Sequence, residues 1–173
     1  MKRKAALLIC LALALGTAAF IFYNSALPTQ ASAQSATDVA DRLASVLPQA
    51  QTFASDKAGW RSFVQAVRKA AHAVEFFALG TELAALFLLL HRRLRLQTLW
   101  NTLSAALAVA VADESIQILS GRGPRVQDVL LDFCGALCAA ALVWLLYGAA
   151  LGARRLRRRK TLQKTGEEPP CPS

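Results

Sequence analysis

Four long apolar blocks, separated by short polar breaks, restrict what this chain can fold into more than any other feature. They run over about 5–23, 70–90, 98–119 and 126–151. A helix crossing a bilayer needs roughly 20 largely apolar residues, each rising about 1.5 Å through a hydrocarbon layer about 30 Å thick. Each block meets that length, and together they fill about half of the 173 residues, leaving no room for a separate soluble domain. The chain is 55% hydrophobic, above the roughly 45–50% of an ordinary soluble domain. The expected fold is therefore all-α: a polytopic bundle of four transmembrane helices, embedded in a lipid bilayer.

The formal net charge of +9 raises the question of nucleic acid, and its placement answers it. Lys2, Arg3 and Lys4 directly precede the first block, and Arg154, Arg155, Arg157, Arg158, Arg159, Lys160 and Lys164 follow the fourth. Basic residues flanking apolar spans are topology signals and contacts for anionic head groups. A nucleic-acid module would set groove-fitting or stacking elements beside the charge, and none is present. With both termini in the cytoplasm, the cytoplasmic segments hold 13 of the Lys and Arg residues and the opposite side 7, in accord with the positive-inside rule. The first block also fits a secretory signal peptide with Ala31-Ser32-Ala33 as its cleavage site. Its length, and the gap before that tripeptide, favour a retained helix.

Between the first two spans, residues 24–66 form an extracytoplasmic loop. Val39, Leu43, Val46 and Leu47 recur there at helical spacing among Asp38, Asp41 and Arg42, predicting a short amphipathic helix ended by Pro48. Trp60, Phe63, Val64 and Val67 form a second apolar stripe, with Trp60 at a level typical of head groups. His91-Arg92-Arg93-Leu94-Arg95 reads as a basic cytoplasmic turn, and Ser120-Gly121-Arg122-Gly123-Pro124-Arg125 as a tight reversal on the other side. The basic tail covers 152–173. Cys134 and Cys138 lie one turn apart inside a span, a spacing that suits small apolar filler and not a disulfide. Trp100 and Trp144 read as interfacial or lipid-facing anchors.

The informative residues are charges inside the spans. Of eleven acidic residues, six fall there: Glu75, Glu82, Asp113, Glu114, Asp128 and Asp132. A charge at the bilayer centre costs at least about 2.5–3.5 kcal/mol on insertion scales, so such groups face the bundle interior and find partners. Arg68, His72, Glu75, Leu79 and Glu82 share one helix face, as do Ala106, Ala110, Asp113, Gln117 and Ser120, and again Asp128, Asp132, Gly135 and Ala139. The rise per residue sets His72, Glu75, Asp113 and Asp132 each roughly 9–13 Å below the same end of its span. Three helices of alternating direction bring these four to one level.

These residues also carry a resemblance. Arg68-Lys69-Ala70-Ala71-His72-Ala73-Val74-Glu75-Phe76, then Asp113-Glu114-Ser115-Ile116-Gln117, then Gly121-Arg122 leading to Asp128-Val129-Leu130-Leu131-Asp132 and Gly135, resemble the VanZ-like family of integral membrane proteins. Asn24-Ser25-Ala26, after the first span, is similar to a further signature, a serine just past the first helix, and Ile116 stands where many relatives carry a histidine. The family is named for a teicoplanin-resistance protein. The resemblance implies a three-helix membrane core over 67–151 behind the first helix of 1–23, and a role in the cell envelope or in glycopeptide susceptibility.

Three readings of the cluster follow. It could be structural, with Arg68 paired to Asp113 or Asp128, His72 to Glu75, and Gln117 bonded across helices. It could be a chemical site, in which His72, Glu75, Asp113 and Asp132 ligate a divalent metal or act as general acid and base. Arg68 and Arg122 would then grip a phosphate or carboxylate of a phospholipid or lipid-linked envelope precursor. It could also hold a lipid, a glycopeptide-related ligand or a partner membrane protein without turnover, with Ser25, Glu114, Gln117 and Asp128 completing the lining.

Overall fold

The computed structural model describes residues 2–47, 50, 52–53, 56–91, 94–120 and 126–165, the side chains of 159–165 excepted. The fold is all-α. Helix α1 covers Lys2–Ala26 and α2 covers Thr29–Val46. The longer α3 covers Lys57–His91, α4 Leu96–Leu119 and α5 Val126–Thr165. Four of the five are long and apolar enough to cross a membrane, namely α1, α3, α4 and the Val126–Arg158 portion of α5. The protein is thus a multi-pass membrane protein.

Two boundaries follow from local chemistry. Pro28 stands just before α2, where its fixed φ and missing N–H cost nothing. The α2 helix ends at Val46, with the Leu47 N–H closing onto the Leu43 carbonyl at 2.8 Å. Pro48, expected to end it, lies outside the described residues, as do Arg92, Arg93, the reversal at 121–125 and the tail from 166. Asp56 precedes α3, and its Oδ2 accepts from the Gly59 N–H at 3.1 Å, an N-cap bond. The apolar stripe at Trp60 and Phe63 is therefore the first turns of α3 itself. Phe63 stacks on Phe53 with centroids 5.5 Å apart and tilts against Trp60 at 5.6 Å.

Helix α3 is the central element: α1, α4, α5 and α2 all pack on it. It runs parallel to α5 and antiparallel to α1 and α4. The core holds Phe76, Leu79 and Leu83 of α3, Ala14 and Ile21 of α1, Ala106 and Ala110 of α4, and Ala136 of α5. Small residues dominate because no hydrophobic drive separates helix from lipid, so association depends on close backbone approach. That approach is tightest between α3 and α5. A Cβ on Gly80 would stand 2.7 Å from the Cα and carbonyl oxygen of Ala136, and one on Gly135 2.6 Å from the carbonyl oxygen of Ala73. The lipid-facing surfaces carry large apolar side chains such as Leu8, Leu13, Trp100, Leu130 and Leu145.

Candidate functional site

The α3–α5 seam fixes the register of the polar residues. Asp132 lies one turn before Gly135, and His72 directly precedes Ala73, so the closest backbone contact brings these two side chains to one level. Helix α4 adds Asp113 from the third side. One donor atom each from His72, Asp113 and Asp132 lies within 4.8 Å of the others. Asp113 is fully buried and Asp132 is 3% exposed. In each of these two carboxylates Oδ1 is buried and accepts no hydrogen bond. Two buried carboxylates, each with an oxygen that accepts no hydrogen bond, facing an imidazole are a costly arrangement unless something further enters.

The surrounding bonds orient the cluster. Gln117, one turn beyond Asp113, donates from Nε2 to Asp113 Oδ2 at 2.7 Å and reaches Ser25 Oγ on α1 at 3.4 Å. Ser120 Oγ donates to the Ser25 carbonyl at 3.1 Å. Ser25, fully buried, therefore lies in the last turn of α1 and ties it to α4. On α3, Glu75 Oε2 stands 3.6 Å from His72 Nδ1, and Glu75 Oε1 accepts from Asn24 Nδ2 at 3.1 Å.

The structure thus gathers His72, Asp113 and Asp132 as one donor set. Glu75 joins through His72 and Asn24 and is not one of the three converging donors. Gln117 and Ser25 form the support. Asp128 stands apart: its Oδ1 lies 3.8 Å from Lys69 Nζ, so Lys69, and not Arg68, is its cationic partner. Neither expected Arg68 pair forms, because Arg68 turns into a cavity. Glu114 is buried on α4, roughly 100° around the helix from Asp113. Arg122 lies outside the described residues.

That cavity, of about 300 Å³, lies between α1, α2 and α3. His72, Glu75 and Arg68 form its polar wall, and Phe20, Leu27, Val39 and Val67 its apolar one. Helix α2 covers it, with Ala36 and Ala40 buried beneath. The cluster therefore has a neighbouring chamber that is charged on one side and greasy on the other.

Three pairings go beyond the sequence: Asn24 with Glu75, Lys69 with Asp128, and Thr17, whose Oγ1 donates to Glu82 Oε1 at 3.0 Å. Thr17, Ile21 and Asn24 share one face of α1 at spacings of four and three. Polar side chains recurring on one face of an apolar span are the signal that finds Thr17 and Asn24.

A divalent cation fits this donor set. Imidazole and carboxylate oxygens suit zinc or manganese. Ligands about 2.1 Å from a tetrahedral ion stand roughly 3.4 Å apart, so donors within 4.8 Å need close by about 1.4 Å at most.

Comparison with known proteins gives one family. The family model described as VanZ/LLP1 matches residues 6–147, reaching from the first span well into the fourth. No curated protein and no solved structure matches the chain.

Proposed function

The chain belongs to the VanZ/LLP1 family, and from that premise we propose that it is a cell-envelope protein with a divalent-cation site opening toward the extracytoplasmic face. In this reading the site holds a phosphate-bearing head group of a phospholipid or lipid-linked envelope precursor. Both termini are cytoplasmic, which the Lys and Arg bias supports. One observation carries the proposal: His72, Asp113 and Asp132 each bring a donor atom within 4.8 Å of the others, and each of the two buried carboxylates keeps an oxygen with no hydrogen-bond partner. A purely structural network would close those oxygens onto donors, as Gln117 does for the other Asp113 oxygen.

His72, Asp113 and Asp132 would hold the ion, and Gln117 would fix the Asp113 carboxylate. When bound, the ion supplies Lewis-acid polarisation of a phosphoryl oxygen. Arg68, on the cavity wall, offers charge-assisted donors to the same head group. The apolar residues opposite receive the first carbons of its lipid chain. An influence on teicoplanin-type susceptibility fits a site of this kind, because it would act where envelope precursors are displayed.

A second reading, hydrolysis or transfer on the same lipid, is favoured by the His72–Glu75 pair at 3.6 Å beside the cavity. Such a pair can take a proton from an attacking water or hydroxyl.

Metal content of the purified protein tests the proposal, read alongside the Asp113→Asn and Asp132→Asn variants. About one equivalent of zinc or manganese, lost in both variants, is expected. A metal-free wild type that still folds would return the cluster to a structural role. Release of phosphate from a lipid substrate would distinguish turnover from binding.

A further inference from the structure

At the other end of the bundle, where α1 begins and α3 ends, the chain makes a second feature unconnected to the polar cluster. Arg3 reaches from the first turn of α1 to the last turn of α3. Its Nε and Nη2 donate to the Leu89 carbonyl at 3.3 and 3.0 Å, and Nη2 also donates to the Leu90 carbonyl at 3.0 Å. These carbonyls belong to the C-terminal turn of a helix, where unpaired acceptors and the negative dipole end attract a cation. The bonds hold the guanidinium in place without neutralising it, because both acceptors are uncharged. A guanidinium has five N–H donors; among the described residues Nη1, with two of them, finds no hydrogen-bond acceptor.

Beside Arg3 lies an open groove of about 640 Å³ between α3 and α5. Ala85, Leu88, Leu89, Val143 and Leu146 wall it, and Tyr147 adds a phenol. Among the described residues that line it, Arg3 alone is charged. The same end carries exposed Lys2 and Lys4 on α1, and exposed Arg154, Arg155, Arg157 and Arg158 where α5 continues. A groove with hydrocarbon walls and one immobilised cation at its end is complementary to an anionic amphiphile. In a bilayer, the candidate at hand is a lipid of the adjoining leaflet.

We propose that this groove is a selective binding site for an anionic glycerophospholipid. An acyl chain lies along Leu88, Leu89, Val143 and Leu146, and the head-group phosphate is held by Nη1 of Arg3 with the Tyr147 hydroxyl. The surrounding basic residues raise the local concentration of anionic lipid, as juxtamembrane charges do at about 1 kcal/mol each, but do not define the site. Arg3 does, because it alone is anchored at the groove.

The experiment is native mass spectrometry of the full chain released from nanodiscs of equal palmitoyl-oleoyl phosphatidylglycerol and phosphatidylcholine. The wild type should retain phosphatidylglycerol over phosphatidylcholine about tenfold, the worth of one charge-assisted hydrogen bond. Arg3→Gln should bring that ratio close to one. Ala85→Phe, which fills the groove and leaves Arg3 in place, should lower retention of both lipids. The double variant Lys2→Gln/Lys4→Gln should keep most of the preference. Equal retention of the two lipids by the wild type would overturn the proposal. So would a Lys2/Lys4 variant that loses as much preference as Arg3→Gln, since the attraction would then be diffuse. Should Arg3→Gln fail to fold, Ala85→Phe decides alone: an unchanged lipid count refutes the site.

Discussion

Gly135 lies so close beneath the backbone of Ala73 that a methyl group on it would stand 2.6 Å from the Ala73 carbonyl oxygen. The contact sets the register in which Asp132 meets His72, so packing and site are one feature here. Backbone cannot give way as a flexible side chain can, so Gly135→Ala must push α5 off α3. The counterpart Gly80→Ala would meet the Ala136 backbone at 2.7 Å. Each should lower stability in detergent by about 1–3 kcal/mol, the usual cost of overpacking, read as a fall in melting temperature. Gly16→Ala and Gly152→Ala, inside helices with nothing within 4 Å, should not lower it, and each should gain up to about 1 kcal/mol from helix propensity. Equal effects at all four positions would show that the seam is not what holds the helices together.

Deeper in the membrane, Thr17 and Glu82 link α1 to α3 through one hydrogen bond of 3.0 Å. Thr17→Val removes the donor and strands a carboxyl oxygen whose neighbour, Oε2, already lacks a partner. Double-mutant cycles with Glu82→Gln should give a coupling of about 0.6–1.7 kcal/mol, the range for such bonds between membrane helices. A coupling of zero would mean that the two side chains part in the bilayer.

Much of this was legible before any coordinates, and the physics explains which part. Hydrophobic length gave the four spans, because lipid tolerates nothing else over about 20 residues. Helical periodicity gave the shared faces of His72, Asp113, Gln117 and Asp132. Periodicity is silent on which of two adjacent cations reaches across to α5, so Lys69 took the place expected for Arg68 beside Asp128, while Arg68 turns into the cavity. Nor does it report close approach: Gly80 looks like any small residue in an apolar run until the Ala136 backbone appears beside it. The outer stripe at Trp60 leads into the second span in the sequence. No helix breaker stands between them, and the structure accordingly makes one helix from Lys57 to His91.

The proposed orientation has its own test. With Cys10, Cys134 and Cys138 replaced, a cysteine introduced at the exposed Ser45 of α2 should react with a membrane-impermeant maleimide on intact spheroplasts. The native Cys171 of the tail should react only after permeabilisation. The reverse pattern would put the polar cluster toward the cytoplasm and remove the envelope reading, while leaving the cation site untouched.

Gln117 offers the sharpest test of whether a cation belongs in the cluster. Its amide is the neutral donor that satisfies Asp113 Oδ2 at 2.7 Å and reaches Ser25 on α1. Gln117→Glu keeps the size, deletes both donor bonds, and sets a third carboxylate beside Asp113 and Asp132. Without a counter-charge these repel in a low-dielectric interior, so the variant should melt well below the wild type in chelator. A divalent ion binding the folded state stabilises by mass action, about 2.7 kcal/mol at a hundred times its dissociation constant. Added zinc or manganese should therefore raise the melting temperature of Gln117→Glu, and do so more than that of the wild type, because the extra carboxylate strengthens the pull on the ion. Gln117→Met, which loses the same bonds without adding charge, should fall in stability and gain no larger metal response than the wild type. If Gln117→Glu and Gln117→Met behave alike, with and without metal, the converging carboxylates hold no ion and the site must be read as a network of shared protons.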